Sequence, residues 1–230
     1  MEDNTKYYEE MVRNRRELHK RPEEGWTEFE TTYFVVEFLK KLGLDVSIGK
    51  ANINEKEVLG RDPQLVRDGM ARALKHGVPQ EFLDATEGYT GAVAVLDTGR
   101  PGPTTAFRAD MDCVLVRESD DPEHLPSKLG FASERPGFMH ACGHDAHTAV
   151  GLEVARWLVD HKDELCGRFK LIYQPAEEGV RGARAMVAAG VVDDVDYFIG
   201  GHVGGVAKLG EIGVMDGGFL ASTKFDIDIE

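Results

Sequence analysis

The sequence predicts an α/β layered fold. Strand-like apolar runs alternate with stretches of helical spacing along most of the chain, which is the pattern of layered α/β domains. Its 230 residues are enough for one well-packed domain with additions, or for one domain and the beginning of another. A hydrophobic content of 42% and a charged content of 30% are ordinary for a globular chain. We therefore expect helices packed around a β-sheet with a sizeable core.

Helical spacing opens the chain and recurs along it. Residues 5–21 and 27–42 both have this spacing, and Gly43 is placed to end the second helix. A third helical stretch runs from 63 to 75 and stops near a glycine and a proline, which interrupt helices. The sequence predicts two later helices, at 146–161 and 183–189.

Short apolar runs between these helices predict the strands. They are too short for helices and are bounded by turn residues, as strands usually are. The last stretch alternates apolar and charged side chains, with Phe225, Ile227 and Ile229 on one side, which is typical of a half-exposed strand. The predicted strands are 44–48, 92–96, 104–109, 169–173, 197–200 and 219–230.

The charge balance excludes several classes of partner. The chain has 41 acidic and 27 basic residues, for a formal charge of −14, which disfavours nucleic acid and anionic membrane surfaces. No apolar run approaches the roughly 20 residues that a membrane span requires. The first residues alternate charge with helix formers and lack the apolar segment of a secretory signal, so we expect a cytoplasmic protein.

The densest group of metal-binding side chains is the segment HACGHDAH, from His140 to His147. Side chains two residues apart project to the same side of an extended backbone, so Cys142 and His144 are candidates for one site. Asp145 is placed to cap the helix that follows. Thiolate, imidazole and carboxylate are the ligands of zinc and related ions. The same segment also fits a free cysteine with structural histidines in a turn.

A pair of glutamates forms a second candidate. Glu177 and Glu178 follow the strand-like run 169–173 after a proline. Because adjacent side chains point in opposite directions on an extended chain, one carboxylate could bind a metal while the other faces water. A solvated surface pair is the alternative interpretation.

Two further candidates follow strands. His202 comes after 197–200 and is surrounded by glycines that permit close approach to a ligand. Asp110 and Asp112 follow 104–109 and could bind a metal or orient a ligating histidine. Structural roles, such as turn formation by aspartate, are the alternatives. All the candidates lie after strands or before helices, where open α/β sheets bind ligands, and this shared placement favours one site.

The motifs that carry these residues resemble the aminoacylase and carboxypeptidase family of metal-dependent amidohydrolases, in the branch of the hippurate and indole-acetyl-amino-acid hydrolases. Within that branch, TGAVAVLDTGRPGP and an extra helical stretch near 52–88 are similar to aminobenzoyl-glutamate hydrolases. The sequence departs from the branch at DMDCVLV, where relatives usually read DMDALP. The matching motifs are RRELHKRPEEGWTE, GPTTAFRADMD, MHACGHDAHTA and QPAEEGVRGARAMVAAGVVDDVDYF.

The resemblance implies a zinc-exopeptidase-like catalytic domain with helices around a mixed β-sheet. It implies two divalent ions, zinc or manganese, and Glu177 as the general base. The metal ligands that it implies are Cys142, His144, Glu178 and His202. Further candidates, which could bind a metal or orient its ligands, are Asp110, Asp112, His140 and Asp145.

The resemblance also implies a domain organisation. Residues 1–217 correspond to the N-terminal part of the catalytic domain, and 218–230 to the first strand of an inserted dimerisation or lid domain. The last metal ligand of the family would then lie beyond residue 230.

Three hypotheses for the function follow from the resemblance. In the first, the protein hydrolyses the amide of a small N-acyl amino acid, with p-aminobenzoyl-glutamate as the leading candidate, and works as a homodimer or hetero-oligomer. In the second, it is a broader N-acyl-amino-acid hydrolase or a dipeptidase. In the third, the chain is an inactive metal-binding fragment or subunit that needs a partner chain. A closed, purely structural metal site is disfavoured by the pair Glu177 and Glu178.

Overall fold

The computed structural model describes residues 5–204, 207–208 and 210–214, and its central element is a five-stranded sheet with the order β1-β2-β4-β3-β5. All five described strands overlap runs that the sequence predicts to be strands. The sixth predicted strand, 219–230, and the predicted domain boundary after residue 217 lie outside the described residues. The strands are β1 (Asp45–Ile48), β2 (Ala92–Asp97), β3 (Thr104–Asp110), β4 (Arg168–Gln174) and β5 (Tyr197–Gly200).

The sheet is mixed, as the family resemblance implies. β3 pairs in parallel with both β4 and β5, whereas β2 is antiparallel to β1 and to β4. The registers place Asp110 opposite Gln174 at the ends of β3 and β4, and Arg108 opposite Gly200 at the end of β5. The carboxyl ends of these three strands therefore meet at one edge of the sheet.

Seven α-helices are described, and five of them overlap predicted helices. The sequence did not predict α4 or α5, which are only a turn or so long. None of the described helices is both long enough and apolar enough to cross a membrane. The helices are α1 (Thr5–Lys20), α2 (Phe29–Lys41), α3 (Pro63–Lys75), α4 (Gln80–Ala85), α5 (Leu125–Lys128), α6 (His144–Asp160) and α7 (Ala183–Val187).

Helix α6 is the crossover between β3 and β4, and it packs on both strands. Because a crossover helix runs back along its parallel strands, its first turn lies at the edge where the strands end. Leu152 of α6 and Leu171 of β4 are almost completely buried in the core that joins helix and sheet. Helix α1 packs on α6, and α2 contacts α6 together with β1 and β2. The packing thus fixes the first turn of α6 relative to the strand ends.

The region 52–88, which the resemblance implies to be a helical insertion, contains α3 and α4. Asp62 caps α3 by accepting hydrogen bonds from two amides of its first turn, and Pro63 follows at a position that suits proline. The insertion also contacts the segment after β4, because Asn54 donates its amide N–H to the carbonyl of Ala185 and Arg181 donates to the carbonyl of Gly60. It therefore lies beside the segment that carries the two glutamates.

Candidate metal centre

The predicted site residues meet at the edge where β3, β4 and β5 end and α6 begins. Parallel strands share this edge, so segments that are distant in sequence arrive at one place. Within the described part of the chain, three groups of side chains could hold a metal ion, and His144 belongs to all of them. The groups are Cys142, His144 and His202; His144, Glu177 and Glu178; and Asp110, His144 and His147.

His144 is the centre of the cluster and is completely buried. Its Nδ1 atom lies 3.3 Å from Asp112 Oδ1, and its Nε2 atom lies 3.8 Å from one carboxylate oxygen of Glu177 and 3.8 Å from one of Glu178. One ring nitrogen therefore faces the aspartate, while the other faces the two glutamates. This division leaves Nε2 directed towards the candidate metal position.

The local backbone at Cys142 and His144 differs from the predicted extended chain. His144 is the first residue of α6, and Gly143 has a left-handed conformation with φ of +89°. A Cβ atom at Gly143 would lie 2.5 Å from Cγ2 of Val203, so this close turn requires glycine. The two side chains still reach one site, because the turn brings them together, but the predicted alternation along an extended backbone was wrong.

Cys142 and His202 approach each other from different segments. The Cys142 Sγ atom lies 3.4 Å from His202 Nε2, and the two side chains are half-buried and exposed, respectively. The imidazole rings of His144 and His202 are 5.9 Å apart, edge to face. The sulfur and the two imidazoles thus face a common point that solvent can reach.

Glu177 and Glu178 do not point in opposite directions as predicted. They lie in a turn, not in an extended segment, and both carboxylates face His144. The carboxylate of Asp112 accepts the amide N–H of Glu177 and that of Glu178, each at 2.9 Å. This fork fixes the turn and directs both glutamates into the cluster.

The electrostatics of the cluster favour a cation. Burial alone would lower the pKa of His144, but the nearby carboxylate of Asp112 and the charges of Asp110 and Glu177 raise it to about 9. Burial, followed by the carboxylate of Glu178, raises the pKa of the Cys142 thiol to about 12. Burial also raises the pKa of Glu177, although the charge of His144 opposes the rise. A positive charge at this position would favour the thiolate of Cys142, the carboxylate of Glu177 and the neutral imidazole of His144.

Unpaired polar atoms give a direct test of whether these residues fit a metal ion. His144 Nε2 and Glu178 Oε1 are buried and make no hydrogen bond within the described residues. Their separation of 3.8 Å is too long for a hydrogen bond, but both atoms could reach one ion bound at about 2.0–2.2 Å. Buried polar atoms normally have partners, so the donor set fits a divalent ion.

His147 is a site residue that the sequence predictions missed. Val203 donates its amide N–H to His147 Nε2 at 2.9 Å, so Nδ1 carries the proton and donates it to Asp110 at 2.5 Å. Burial alone would raise the pKa of Asp110, but this bond and the ion pair with Arg108 hold it below its usual range. This series of contacts, from Arg108 through Asp110 and His147 to Val203, anchors the segment next to His202. The available signal was the spacing of His147 three residues after His144, which places both on one helix face.

Three predicted residues, Asp112, Asp145 and His140, are not part of the three groups, although Asp112 binds the glutamate turn as described above. Asp145 does not cap α6: the cap is Gly143, and the Asp145 side chain pairs with His19 at 2.7 Å and with Arg15 at 2.9 Å. His140 is buried, and neither of its ring nitrogens has a hydrogen-bond partner among the described residues. Burial lowers the pKa of His140 to about 4, so it is neutral at physiological pH.

The fold and the clustered side chains define an α/β protein with a candidate metal centre at the carboxyl edge of its sheet. Residues 106–230 match the model of peptidase family M20/M25/M40. That span is more than half of the chain, and the chain belongs to this family. The predicted relationship to metal-dependent amidohydrolases is thereby confirmed.

Two curated relatives are similar over nearly the whole chain. A homolog of a p-aminobenzoyl-glutamate hydrolase subunit, from Haemophilus influenzae, is 47% identical over 95% of this chain and 52% of its own length. The indole-3-acetyl-aspartic acid hydrolase of Enterobacter agglomerans is 50% identical over 94% of this chain and 50% of its own length. The chain therefore spans about half the length of the curated relatives that it matches.

A solved structure shares the fold. It is a Bacillus subtilis protein described as a dinuclear metal-binding peptidase of the M20 family, 31% identical, with a TM-score of 0.63. The match covers 86% of this chain and 44% of the other. The predicted α/β fold class is confirmed by this likeness and by the five-stranded mixed sheet.

Proposed function

We propose that this protein takes part in the metal-dependent hydrolysis of an amide bond in a small N-acyl amino acid. The observation that carries the proposal is the convergence of a thiol, two imidazoles and two carboxylates on one partly open site. Thiolate, imidazole and carboxylate together suit a divalent transition-metal ion. Exposed His202 leaves the site accessible to a substrate.

In this proposal Cys142, His144, Glu178 and His202 hold two divalent ions, zinc or manganese. Asp112 orients His144, and Asp110 orients the segment of His202 through His147. A bound divalent ion supplies a Lewis acid that polarises the amide carbonyl and acidifies water. The donor set does not distinguish zinc from manganese, because it mixes sulfur, nitrogen and oxygen ligands.

Glu177 is the general base of the proposal. Its carboxylate lies 3.8 Å from His144 and its side chain is about one-third exposed, so it faces both the cluster and solvent. Glu177 accepts a proton from the attacking water and then donates it to the departing amine, which leaves as a neutral amino group. The raised pKa of Glu177 suits this double role, because a carboxyl group exchanges its proton in both directions most readily when its pKa approaches the working pH.

The proposed substrate joins an aromatic acyl group to an acidic amino acid. The names of the two relatives support this class, since one refers to p-aminobenzoyl-glutamate and the other to indole-3-acetyl-aspartate. We take p-aminobenzoyl-glutamate as the first candidate. A broader N-acyl-amino-acid hydrolase is the second, and comparison of the rates on aminobenzoyl-glutamate, hippurate and dipeptides separates the two.

The test is the substitution Glu177→Gln in the metal-loaded protein. We expect the variant to keep its metal content but to lose hydrolysis by roughly 10²- to 10⁴-fold, because the amide cannot accept the proton. Metal analysis and release of the free amine measure the two properties. Glu123→Gln, an exposed glutamate that pairs with Lys128, is the matched control and should hydrolyse normally. An unchanged rate in Glu177→Gln would rule out Glu177 as the base.

A second candidate function is that of a metal-binding subunit that needs another polypeptide. The observation that favours it is that one relative is named as the homolog of a hydrolase subunit. Such a chain binds metal with the residues described above but hydrolyses nothing by itself. A purified 230-residue chain that hydrolyses aminobenzoyl-glutamate unaided would eliminate this candidate.

A further inference from the structure

The turn that carries Glu177 and Glu178 is held by two buried carboxylates. Asp112 binds the amides of both glutamates, as described above. The amide of the preceding residue, Ala176, donates to Oε1 of Glu28 at 2.7 Å. Three consecutive amides are thus fixed by side chains from two other parts of the chain.

Ala176 is the point at which the turn leaves the sheet. It is completely buried and has a φ of +49°. Residues other than glycine, asparagine and aspartate adopt this left-handed conformation infrequently. Its carbonyl accepts the amides of Arg181 and Gly182, which closes the turn. A residue in this conformation persists only when its surroundings hold it there, and the bond from its amide to Glu28 is part of that restraint.

Glu28 is buried although it does not cap the helix that it precedes. It is completely inaccessible and occupies the N-cap position of α2, yet its side chain makes no capping hydrogen bond. Its second oxygen instead accepts the hydroxyl of Thr90 at 2.6 Å. Burying a carboxyl group costs free energy unless the group is hydrogen-bonded. The two partners of Glu28 are Ala176, at the base of the glutamate turn, and Thr90, just before β2.

We propose that Glu28 is a positioning residue, which sets the direction of Glu177 and Glu178 by holding the amide of Ala176. The proposal rests on the function proposed above, because it assigns Glu178 to the metal and Glu177 to the proton. Glu28 acts only through the backbone of the turn. Asp112 fixes the positions of the two glutamate amides, and Glu28 fixes the position at which the turn begins.

The protonation state of Glu28 makes glutamine a conservative replacement for it. Burial, and secondarily the charge of Asp112, raise the pKa of Glu28 to about 8, so the neutral carboxyl is the main form at neutral pH. A neutral carboxyl accepts with one oxygen and donates with the other, and the Thr90 hydroxyl can serve as donor or acceptor. A glutamine amide can make the same pair of hydrogen bonds.

The experiment measures metal binding by the 230-residue chain. Glu28→Ala should lower the affinity for Zn²⁺ by roughly 10- to 100-fold, as loss of groups that orient ligands usually does. Glu28→Gln should keep the affinity of the unchanged chain. The visible absorption of bound Co²⁺ should change in Glu28→Ala, because the ligand geometry changes, and should remain the same in Glu28→Gln.

Glu153 supplies the matched control. It is another buried glutamate, in the middle of α6, where it accepts a hydrogen bond from Asn14 of α1. Glu153→Ala also removes a buried carboxyl but should leave Zn²⁺ affinity unchanged. Equal losses of affinity in Glu28→Ala and Glu153→Ala, or no loss in Glu28→Ala, would overturn the proposal.

If Glu28→Ala fails to fold, substitutions at Thr90 test the proposal instead. Thr90→Val removes the hydroxyl that holds Glu28 and should weaken Zn²⁺ binding, whereas Thr90→Ser should restore it. An unchanged affinity in a folded Thr90→Val protein also contradicts the proposal. Failure of the unchanged chain to bind any divalent ion would instead contradict the proposed function, so the two failures are distinguishable.

Discussion

At the scale of single residues, the protonation of His144 is coupled to metal binding. It contacts aspartates through one nitrogen and faces the glutamates through the other, and its raised pKa reflects these neighbours. A metal ion binds only the neutral imidazole and the thiolate. Binding must therefore release the protons of His144 and Cys142.

The number of protons released on binding should depend on pH. Below about 9, both His144 and Cys142 are protonated in the metal-free protein, so Zn²⁺ binding releases two protons from them. Between about 9 and about 12, only the thiol proton remains to be released. Calorimetry in buffers of different ionisation enthalpy measures the count. His76→Ala, at a half-exposed histidine outside the site, should give the same counts. A count that stays constant across pH 9 would contradict the assignment.

The stability of the metal-free protein should change with pH in the opposite sense. The folded-state pKa of His144, about 9, lies above its ordinary value of 6.5. Its stabilising contribution is therefore fully present below about 6.5 and is lost as the pH rises through 9. Alkaline conditions thus favour metal binding while they weaken the metal-free fold at this residue.

The side chains that the sequence nominates as ligands lie together in the fold, but part of their predicted geometry was wrong. Cys142 and His144 were paired on the assumption of an extended backbone, whereas the left-handed turn at Gly143 brings them together. A glycine permits such a turn without specifying it. His147 and Glu28 were not recognised, because their partners Asp110 and Ala176 are far away in the sequence. Only the fold brings these pairs into contact.

At the scale of elements, the turn between Pro175 and Gly182 decides how the glutamates enter the site. Gly182 donates its amide to Ala176, and its α-carbon lies against the carbonyl of Pro175. A Cβ atom at Gly182 would lie 1.8 Å from the Pro175 oxygen. The backbone conformation of Gly182 is right-handed, so contact with that oxygen, and not strain in φ, excludes a larger residue.

Gly182→Ala should therefore displace the turn. We expect the free energy of unfolding to fall by about 1–3 kcal/mol, the usual cost of overpacking, and Zn²⁺ affinity to fall because Glu178 moves. Urea unfolding and metal titration measure the two effects. Gly213→Ala is the control, since a Cβ there meets no heavy atom of the described residues within 4 Å. Equal stability and affinity in both variants would show that the turn tolerates the side chain.

Predictability differed between types of element. The buried strands β2, β3 and β4 lie within a residue or so of their predicted bounds, because continuous apolar runs between turn residues mark buried strands well. Helix α6 begins earlier than predicted, since its first residue is a site histidine and carries no apolar signal. The two-glutamate turn could not be predicted, because Asp112 and Glu28 determine it from other segments.

At the scale of the whole molecule, the candidate site joins four separate segments. They follow β3, precede α6, follow β4 and follow β5. An ion that binds only the folded arrangement stabilises it by mass action. The metal centre thus contributes to holding the strand ends and α6 in their relative positions.

Metal removal should therefore lower the stability of the fold. Zn²⁺ at 100 times its dissociation constant should raise the free energy of unfolding by about 2.7 kcal/mol, and a chelator should reverse the gain. Urea unfolding with and without Zn²⁺ measures it. Cys142→Ser should reduce the gain, whereas Cys166→Ser, at an exposed cysteine outside the three groups, should retain it. A chain that unfolds at the same urea concentration with and without Zn²⁺ would refute this role.

The order of the four segments has a consequence for biosynthesis. A ribosome makes Asp112 first, then Cys142 and His144, then Glu178, and His202 last. β3 cannot pair with β4 or β5 until those strands have left the exit tunnel, so the cluster stays incomplete until His202 has followed β5 out of the ribosome. A nascent chain thus exposes the Cys142 thiol before its imidazole partner His202 exists. The supply of metal ions in the cell therefore matters once His202, the last of these four donors, has emerged.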